Sequence, residues 1–156
     1  MNDDLIPSAV PAVVGEVIIG EPFAVSRLDV DTFERGTWVD QAYPEGAIPE
    51  FPESLVEGFH LLALLDPILQ FALSDKPREM WGLNYGLDSV RFISQVHIGD
   101  RLVPKFETLE VQPKDGGFKV LRRCTFTVEG RERPAMVADW WAYQLPRGVV
   151  EKSRRG

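Results

Sequence analysis

Hydrophobic and polar positions alternate with a period of two over most of the second half of the chain. In one such segment Val120, Cys124, Phe126 and Val128 share a face with Arg122, and polar residues fill most of the other face. This alternation is typical of an antiparallel sheet with one covered side. The pattern and the turns between segments predict strands at residues 83–94, 101–112, 118–129 and 134–144, with a further extended segment at residues 13–28.

The one long, nearly all-apolar helix predicted by the pattern spans residues 52–70. Ser54 is followed three residues later by Glu57, which predicts a capping box at the helix start. Pro67 lacks an N–H group, so the helix should kink or restart there. Upstream, Asp29 is the predicted N-cap of a two-turn helix that closes at Gly36, and residues 37–52 read as a loop.

Length and composition favour one soluble domain. The chain has 156 residues, 44% of them apolar and 26% charged, so we expect a single domain over residues 1–156, with residues 1–12 as an extension and 147–156 as a flexible tail. A net charge of -7 argues against a nucleic-acid partner. The longest apolar run is too short to span a membrane, and the acidic start is not a secretion signal, so we expect a cytoplasmic protein.

The content of cysteine and histidine argues against metal and disulfide chemistry. The chain contains one cysteine and two histidines, which is too few for a structural zinc site, and we expect no metal. Cys124 lies in a strand-like segment, where we expect a buried, inert thiol.

Three segments carry a resemblance to a known family. They are residues 84–92 (NYGLDSVRF), residues 96–102 (VHIGDRL) and Val56-Glu57-Gly58 at the helix start. Together with the order of the elements, they are similar to MaoC-like proteins of the hotdog superfamily, over residues 14–145. The resemblance implies an α+β fold, a single hotdog domain in which about five antiparallel strands wrap around one long central helix. The exposed sheet edges favour pairing into a dimer.

The resemblance also implies an activity on acyl thioesters of coenzyme A or acyl carrier protein, with no separate cofactor. Members include (R)-specific enoyl-CoA hydratases and dehydratases, and hotdog proteins more broadly include many thioesterases. The hydratases carry an Asp and a His five residues apart, in a loop pattern like GDxNPIHxD. Residues 36–43 (GTWVDQAY) contain no histidine, so either Asp40 replaces the His or Thr37 replaces the Asp. In these proteins a His commonly precedes the glycine at the helix start, and in this chain Glu57 takes its place.

The missing histidine favours a reaction that needs only one carboxylate. Thioester hydrolysis is such a reaction, because the thiolate leaves without strong protonation. We expect Asp40 or Glu57 to act as general base or nucleophile, with the Gly58 N–H stabilising the oxyanion at the helix start. His60 lies one turn from Glu57 and could hydrogen-bond to it, or it could be a core histidine.

The candidate substrate contacts come from the loop, the helix and the strand that follows it. They are Thr37, Trp38, Tyr43, Asp66, Asn84, Tyr85 and Gly86. For Trp38 and Tyr43 the alternative is packing on the body of the protein, and for Asp66 it is a local helix cap. Four basic residues could bind the coenzyme phosphates, or they could simply occupy the solvent-exposed face of a strand. They are Arg91, Lys105, Arg122 and Arg123.

Three hypotheses for the function therefore remain open. The first is a thioesterase, the second a divergent enoyl-CoA hydratase or dehydratase, and the third a non-catalytic acyl-binding subunit. The partner would be a second copy of the chain, or another hotdog subunit in a heteromer.

Overall fold

The computed structural model describes residues 12–75 and 80–146, which form helices packed on one face of an antiparallel sheet. The helices are α1 (Arg27–Gly36), α2 (Val39–Ala42), α3 (Gly58–Ala63) and α4 (Leu65–Ala72). The strands are β1 (Val17–Ile19), β2 (Leu55–Val56), β3 (Met80–Phe92), β4 (Val96–His97), β5 (Leu102–Lys114), β6 (Gly117–Val128) and β7 (Met136–Pro146). Five strands form one sheet in the order β1-β5-β6-β7-β3, and β2 pairs with β4. The α+β prediction with about five antiparallel strands is confirmed.

The three central strands, β5, β6 and β7, build the floor of the core. Phe106 on β5 lies opposite Cys124 on β6, which lies opposite Ala138 on β7, and all three side chains are fully buried. Phe126 is also fully buried, and its ring meets Phe23 edge-on with centroids 5.2 Å apart. The period-two pattern therefore places its apolar face against the helices, as expected for a sheet covered on one side.

The central helix is divided into α3 and α4 at Leu64, so it restarts close to Pro67, as the sequence predicted. Pro67 lies in the first turn of α4, three residues after the break. A proline ring collides with the carbonyl four residues earlier, which is that of Ala63, the last residue of α3. Proline is accepted in a first turn, where N–H groups have no partner within the helix. The predicted restart therefore occurs, one turn before the proline.

The capping boxes lie elsewhere than the sequence indicates. At α1 the N-cap is Ser26 rather than Asp29: the Asp29 N–H donates to Ser26 Oγ (3.1 Å), and the Ser26 N–H donates to Asp29 Oδ2 (2.8 Å). Ser54 caps no helix, because the chain first extends through β2 to pair with β4. Its hydroxyl instead lies 2.8 Å from Nδ1 of His97. The helix predicted from Ser54 begins four residues later, at Gly58.

The two edges of the sheet differ strongly in length. One edge is the short strand β1, and the other is β3, which has 13 residues and, among the described residues, pairs on one side only, with β7. Every residue from 82 to 89 on β3 is exposed. A long strand with an unpaired backbone edge is a template for pairing with another chain.

Two further expectations concern burial on β6. Cys124 is fully buried, and burial raises the pKa of its thiol to about 12, so the prediction of an inert thiol is confirmed. One of the two alternatives for Arg122 was a position on the solvent-exposed face of its strand. Instead, Arg122 faces the core and is 3% exposed. Its neighbour Arg123 occupies the exposed face and pairs with Asp139.

No helix within residues 12–75 and 80–146 is long and apolar enough to cross a membrane. Within the same ranges, no three His, Cys, Asp or Glu side chains converge as metal ligands would. The predicted tail at residues 147–156, and the extension at residues 1–12 apart from Ala12, lie outside the described residues.

Candidate active site

A groove of about 420 Å³ runs between the central helices and the edge strand β3. The helices contribute Phe59, Leu62, Ala63, Leu65 and Asp66. The strands contribute Asn84, Tyr85, Gly86, Leu87 and Trp140. The volume is within the roughly 300–1,000 Å³ of small-molecule sites, and the lining is largely apolar with a few polar groups, as in such sites.

The floor and the rim of the groove come from different elements. Leu87 and Trp140 are cross-strand partners on β3 and β7, and Trp140 is only 5% exposed, so this pair forms the floor. Phe59 forms part of the rim and is 72% exposed. Its ring meets Phe92 on β3 in an edge-on contact with centroids 6.1 Å apart. The groove is therefore apolar below and open to solvent above.

Asp66 is the one carboxylate among the described residues that line the groove. Asp66 on α4 and Phe59 on α3 lie on either side of the break at Leu64, and both line the groove. Asp66 is exposed, occupies the first turn of α4 and accepts a hydrogen bond from Gln70 Nε2 at 3.3 Å. The groove thus contains an accessible carboxylate.

His60 faces away from the groove, toward α1. Its ring stacks on Phe33, with centroids 4.4 Å apart and planes inclined by 2°. The side chain is buried, and Nδ1 has no hydrogen-bond partner among the described residues, so the expected bond to Glu57 is not formed through that atom. Burial lowers the pKa of His60, and the nearby Asp29 carboxylate opposes the shift. We conclude that His60 is a neutral packing residue near neutral pH.

Glu57 is the N-cap residue of α3, but its side chain makes no cap hydrogen bond. Burial raises the pKa of Glu57, and repulsion from Glu34 adds to the effect. The predicted reciprocal box with Ser54 is therefore wrong. Glu57 remains a half-buried carboxylate at the start of α3, outside the groove lining.

The loop candidates lie together at the junction of α1 and α2. Thr37 donates its hydroxyl hydrogen to the Phe33 carbonyl at 2.7 Å. Trp38 adopts a left-handed backbone with φ of 66° and is 72% exposed, and Tyr43 is 61% exposed. Asp40 is exposed in the first turn of α2. None of these four lines the groove as formed by the described residues of one chain.

Gly58 is required by a close contact with Phe92. A Cβ atom at this position would lie 2.9 Å from Cγ and Cδ1 of the Phe92 ring, closer than real Cβ contacts. Because Cγ is the base of the ring, the clash cannot be relieved by moving only the tip of the side chain. Gly58 also lies in the first turn of α3, where backbone N–H groups have no acceptor within the helix.

We expect Gly58→Ala to lower the free energy of unfolding by about 1–3 kcal/mol, because it overpacks the contact with Phe92. Chemical denaturation measures the change. In a Phe92→Ala background, Gly58→Ala should lower the free energy of unfolding by less, because the ring that the new Cβ would contact is no longer there. Gly36→Ala is the matched control: it lies at the end of α1 with nothing within 4 Å of the new Cβ, and should be neutral or stabilising. Wild-type stability of Gly58→Ala would contradict the close contact.

The structure thus separates the expected site residues into two groups. Asp66, Asn84, Tyr85 and Gly86 meet in the groove, whereas Asp40, Glu57, His60 and the loop residues do not line it. The sequence did not identify the apolar lining, namely Phe59, Leu62, Ala63, Leu65 and Leu87. The alternation along β7, which places Trp140 on the covered face of the sheet, was a usable signal for the floor of the groove.

Comparisons with known proteins agree on one family. No protein-family model matches the chain. Nodulation protein N of Rhizobium leguminosarum bv. viciae is 34% identical over 142 residues, covering 86% of each chain. The 3-hydroxyacyl-thioester dehydratase Z of Mycobacterium tuberculosis is 29% identical over 120 residues, covering 74% of this chain and 79% of that protein.

Solved structures carry the same fold at lower identity. The MaoC-like dehydratase of Rhodospirillum rubrum superposes with a TM-score of 0.64 at 14% identity, covering 88% of this chain and 96% of that one. The chain belongs to the MaoC-like family of hotdog proteins. The (R)-hydratase of A. caviae gives a TM-score of 0.65 at 18% identity, covering 88% and 100% of the two chains. The fluoroacetyl-CoA thioesterase FlK superposes with a TM-score of 0.63 at 15% identity, covering 93% of this chain and 96% of that one.

The family assignment confirms the predicted resemblance and the hotdog fold. It places this MaoC-like chain among proteins that act on acyl thioesters. Hydrolysis and hydration or dehydration both occur among these similar proteins, so the reaction must be argued from the groove.

Proposed function

We propose that this MaoC-like protein hydrolyses acyl thioesters of coenzyme A or acyl carrier protein, with Asp66 as the general base. The observation that carries the proposal is the set of ionisable groups in the groove. Asp66 supplies a carboxylate there, while one histidine of the chain stacks on Phe33 and the other lies against Ser54. With two histidines in the sequence, none is left for an acid-base pair with Asp66.

Hydrolysis requires one proton acceptor. Asp66 would take a proton from water as the water oxygen attacks the thioester carbonyl, giving a tetrahedral oxyanion. Collapse of the oxyanion expels the thiolate, which is a good leaving group because thiols have pKa values of about 8.5. Hydration of an enoyl thioester needs both a base for water and an acid for the α-carbon. A single carboxylate is better suited to the first reaction.

Two lysines lie near Tyr85, on the face of the sheet that also carries Trp141. Nζ of Lys119 lies 4.8 Å from the ring centroid of Tyr85, and Nζ of Lys114 lies 6.0 Å from it. Tyr85 itself lines the groove. Two ammonium groups at this edge of the sheet would attract the phosphates of a coenzyme A or phosphopantetheine arm that leaves the groove across β3.

The proposal includes a homodimer formed through the exposed edge of β3. Antiparallel pairing about the middle of β3 places the Phe92 end of one copy beside the Met80 end of the other. Gly58 lies against Phe92, so the start of α3 from the second copy would flank the Asn84 end of this groove. Its first-turn N–H groups would then be available to the oxyanion. The second copy would thus complete both the sheet and the site.

A second candidate function is acyl binding without turnover, as one subunit of a heteromer. The absence of any histidine among the described groove residues favours it, because a partner hotdog subunit would then supply the acid-base pair. In this case the groove binds the acyl chain while the chemistry occurs at the partner's site.

Incubation of the purified protein with matched saturated and 2-enoyl coenzyme A thioesters distinguishes the candidates. We expect free thiol release from saturated substrates, followed with a thiol-reactive dye. Loss of enoyl absorbance without thiol release would establish hydration and overturn the hydrolysis proposal. Binding by calorimetry with neither product would support the non-catalytic candidate. Absence of binding to every thioester would contradict both.

A further inference from the structure

Trp140 is the bulky side chain on its stretch of the inner face of β7. The side chains before and after it on that face belong to Ala138 and Ala142, and all three residues are buried. Its cross-strand neighbours are Leu87 on β3 and Arg122 on β6. The indole therefore rises between two methyl groups of the same strand, on the face that the helices cover.

On the side of the sheet, the groove ends at this indole. The helices line the groove with Leu62, Ala63 and Leu65, and Trp140 lines it from below. Arg122 follows Trp140 in the same cross-strand row and does not line the groove. The indole thus closes the groove toward the centre of the sheet.

A thioester with its carbonyl at Asp66 would direct its acyl chain toward the indole. Asp66 is exposed and Trp140 is buried, so the coenzyme lies on the solvent side and the acyl chain on the inner side. Packed elements lie about 8–10 Å apart, and an extended chain advances about 1.2 Å per bond. A chain of about eight bonds would span the whole layer between them. Because the indole fills part of that layer, only a shorter chain fits.

We propose that Trp140 sets the length of the acyl group that the groove accepts, so that the preferred substrates are short-chain acyl thioesters. This inference rests on the proposed function, in which the groove holds the acyl chain. Each methylene that fits above the indole gains apolar burial, and the first that meets the ring must displace it or bend back into solvent. Ala138 and Ala142 could not fill the space left by a smaller residue at position 140, because a methyl group has no rotamer that reaches it.

The test compares two non-hydrolysable thioethers of coenzyme A, S-butyl-CoA and S-octyl-CoA, by calorimetric titration. Both carry the same coenzyme, so the ratio of their dissociation constants reports the length of the chain. We expect wild type to bind S-butyl-CoA about 10-fold or more tightly than S-octyl-CoA, because the longer chain overpacks the floor. Trp140→Leu should reverse the order by about 10-fold or more, since each further methylene that becomes buried contributes about fourfold.

Trp141→Leu is the matched control, because it removes the same side-chain volume from the next residue on β7. Trp141 lies on the opposite face, donates its Nε1 hydrogen to Asp88 Oδ2 at 2.9 Å and does not line the groove. This variant should keep the wild-type ratio, whatever its effect on the shared coenzyme. Trp140→Phe removes less of the floor and should reduce the preference for S-butyl-CoA without reversing it. It decides the test if Trp140→Leu fails to fold.

Equal binding of the two thioethers to wild type, or a preference for S-octyl-CoA, would overturn the length limit and leave the proposed hydrolysis standing. A Trp140→Leu variant that keeps the wild-type ratio, or binds both compounds more weakly by the same factor, would assign Trp140 a purely structural role and contradict the proposal. Binding of neither thioether to wild type would overturn both. The expected ratios without thiol release from butanoyl-CoA would overturn the hydrolysis and support the length limit.

Discussion

Replacing Asp66 with asparagine should lower kcat for thioester hydrolysis by about 10²- to 10⁴-fold, the usual effect of losing a positioned general base. Asparagine preserves the shape of the side chain and its contact with Gln70 but cannot accept the proton from water. Because the lost interaction belongs to the transition state, KM should change little. Steady-state kinetics with a thiol-reactive dye measures both constants.

Asp31→Asn provides the control for a general effect of removing a helix carboxylate. Asp31 lies on α1, half exposed and 3.8 Å from Arg27, and does not line the groove. Its kinetics should match wild type. Full activity of Asp66→Asn would show that Asp66 is not the general base. If Glu57→Gln then lost activity, the base would be the half-buried carboxylate at the start of α3, one of the two carboxylates that the sequence indicated.

Leu83→Asp should convert the proposed dimer to a monomer and abolish most of the hydrolytic activity. Leu83 lies on β3 and is 48% exposed in the single chain. By symmetry the substitution places two unpaired carboxylates in one interface, where each costs about 3–5 kcal/mol, so the dimer dissociation constant should rise by on the order of 10⁴-fold or more. Sedimentation velocity should report the 17.6 kDa mass of one chain instead of twice that mass.

Leu83→Met keeps an apolar side chain of similar volume and should remain a dimer with wild-type activity. Two results would count against the composite site. A monomeric wild-type protein would exclude the dimer itself. A monomeric Leu83→Asp variant with full activity would show that one chain contains the complete groove.

The strands were predictable because each has one covered face. From Arg122 to Val128 the buried positions recur at every second residue, and β6 forms at residues 117–128. The boundaries of the central helix were harder. Ser54 and Glu57 have the spacing of a capping box, but the pairing of β2 with β4 prevents the helix from starting there. Such a pairing joins residues about 40 positions apart, and local patterns do not record it.

The groove was only partly predictable for a similar physical reason. The helix from Gly58 onward is apolar on nearly all sides, so its pattern does not show which face meets the sheet and which meets a ligand. His60 and Asp66 both looked like candidates, yet one packs on Phe33 and the other lines the groove. Alternation placed Arg122 on the apolar face of its strand, where the structure buries it, and only the alternative of a solvent-exposed face is wrong.

Cys124 has a practical consequence for spectroscopy. It is the one cysteine in the sequence, fully buried, with a thiol that stays protonated well above neutral pH. A cysteine introduced at an exposed position will therefore react with a maleimide or spin label without background from the native thiol. A single label on each copy would give one distance across the pair, so the relative arrangement of two subunits can be measured without first removing any natural residue.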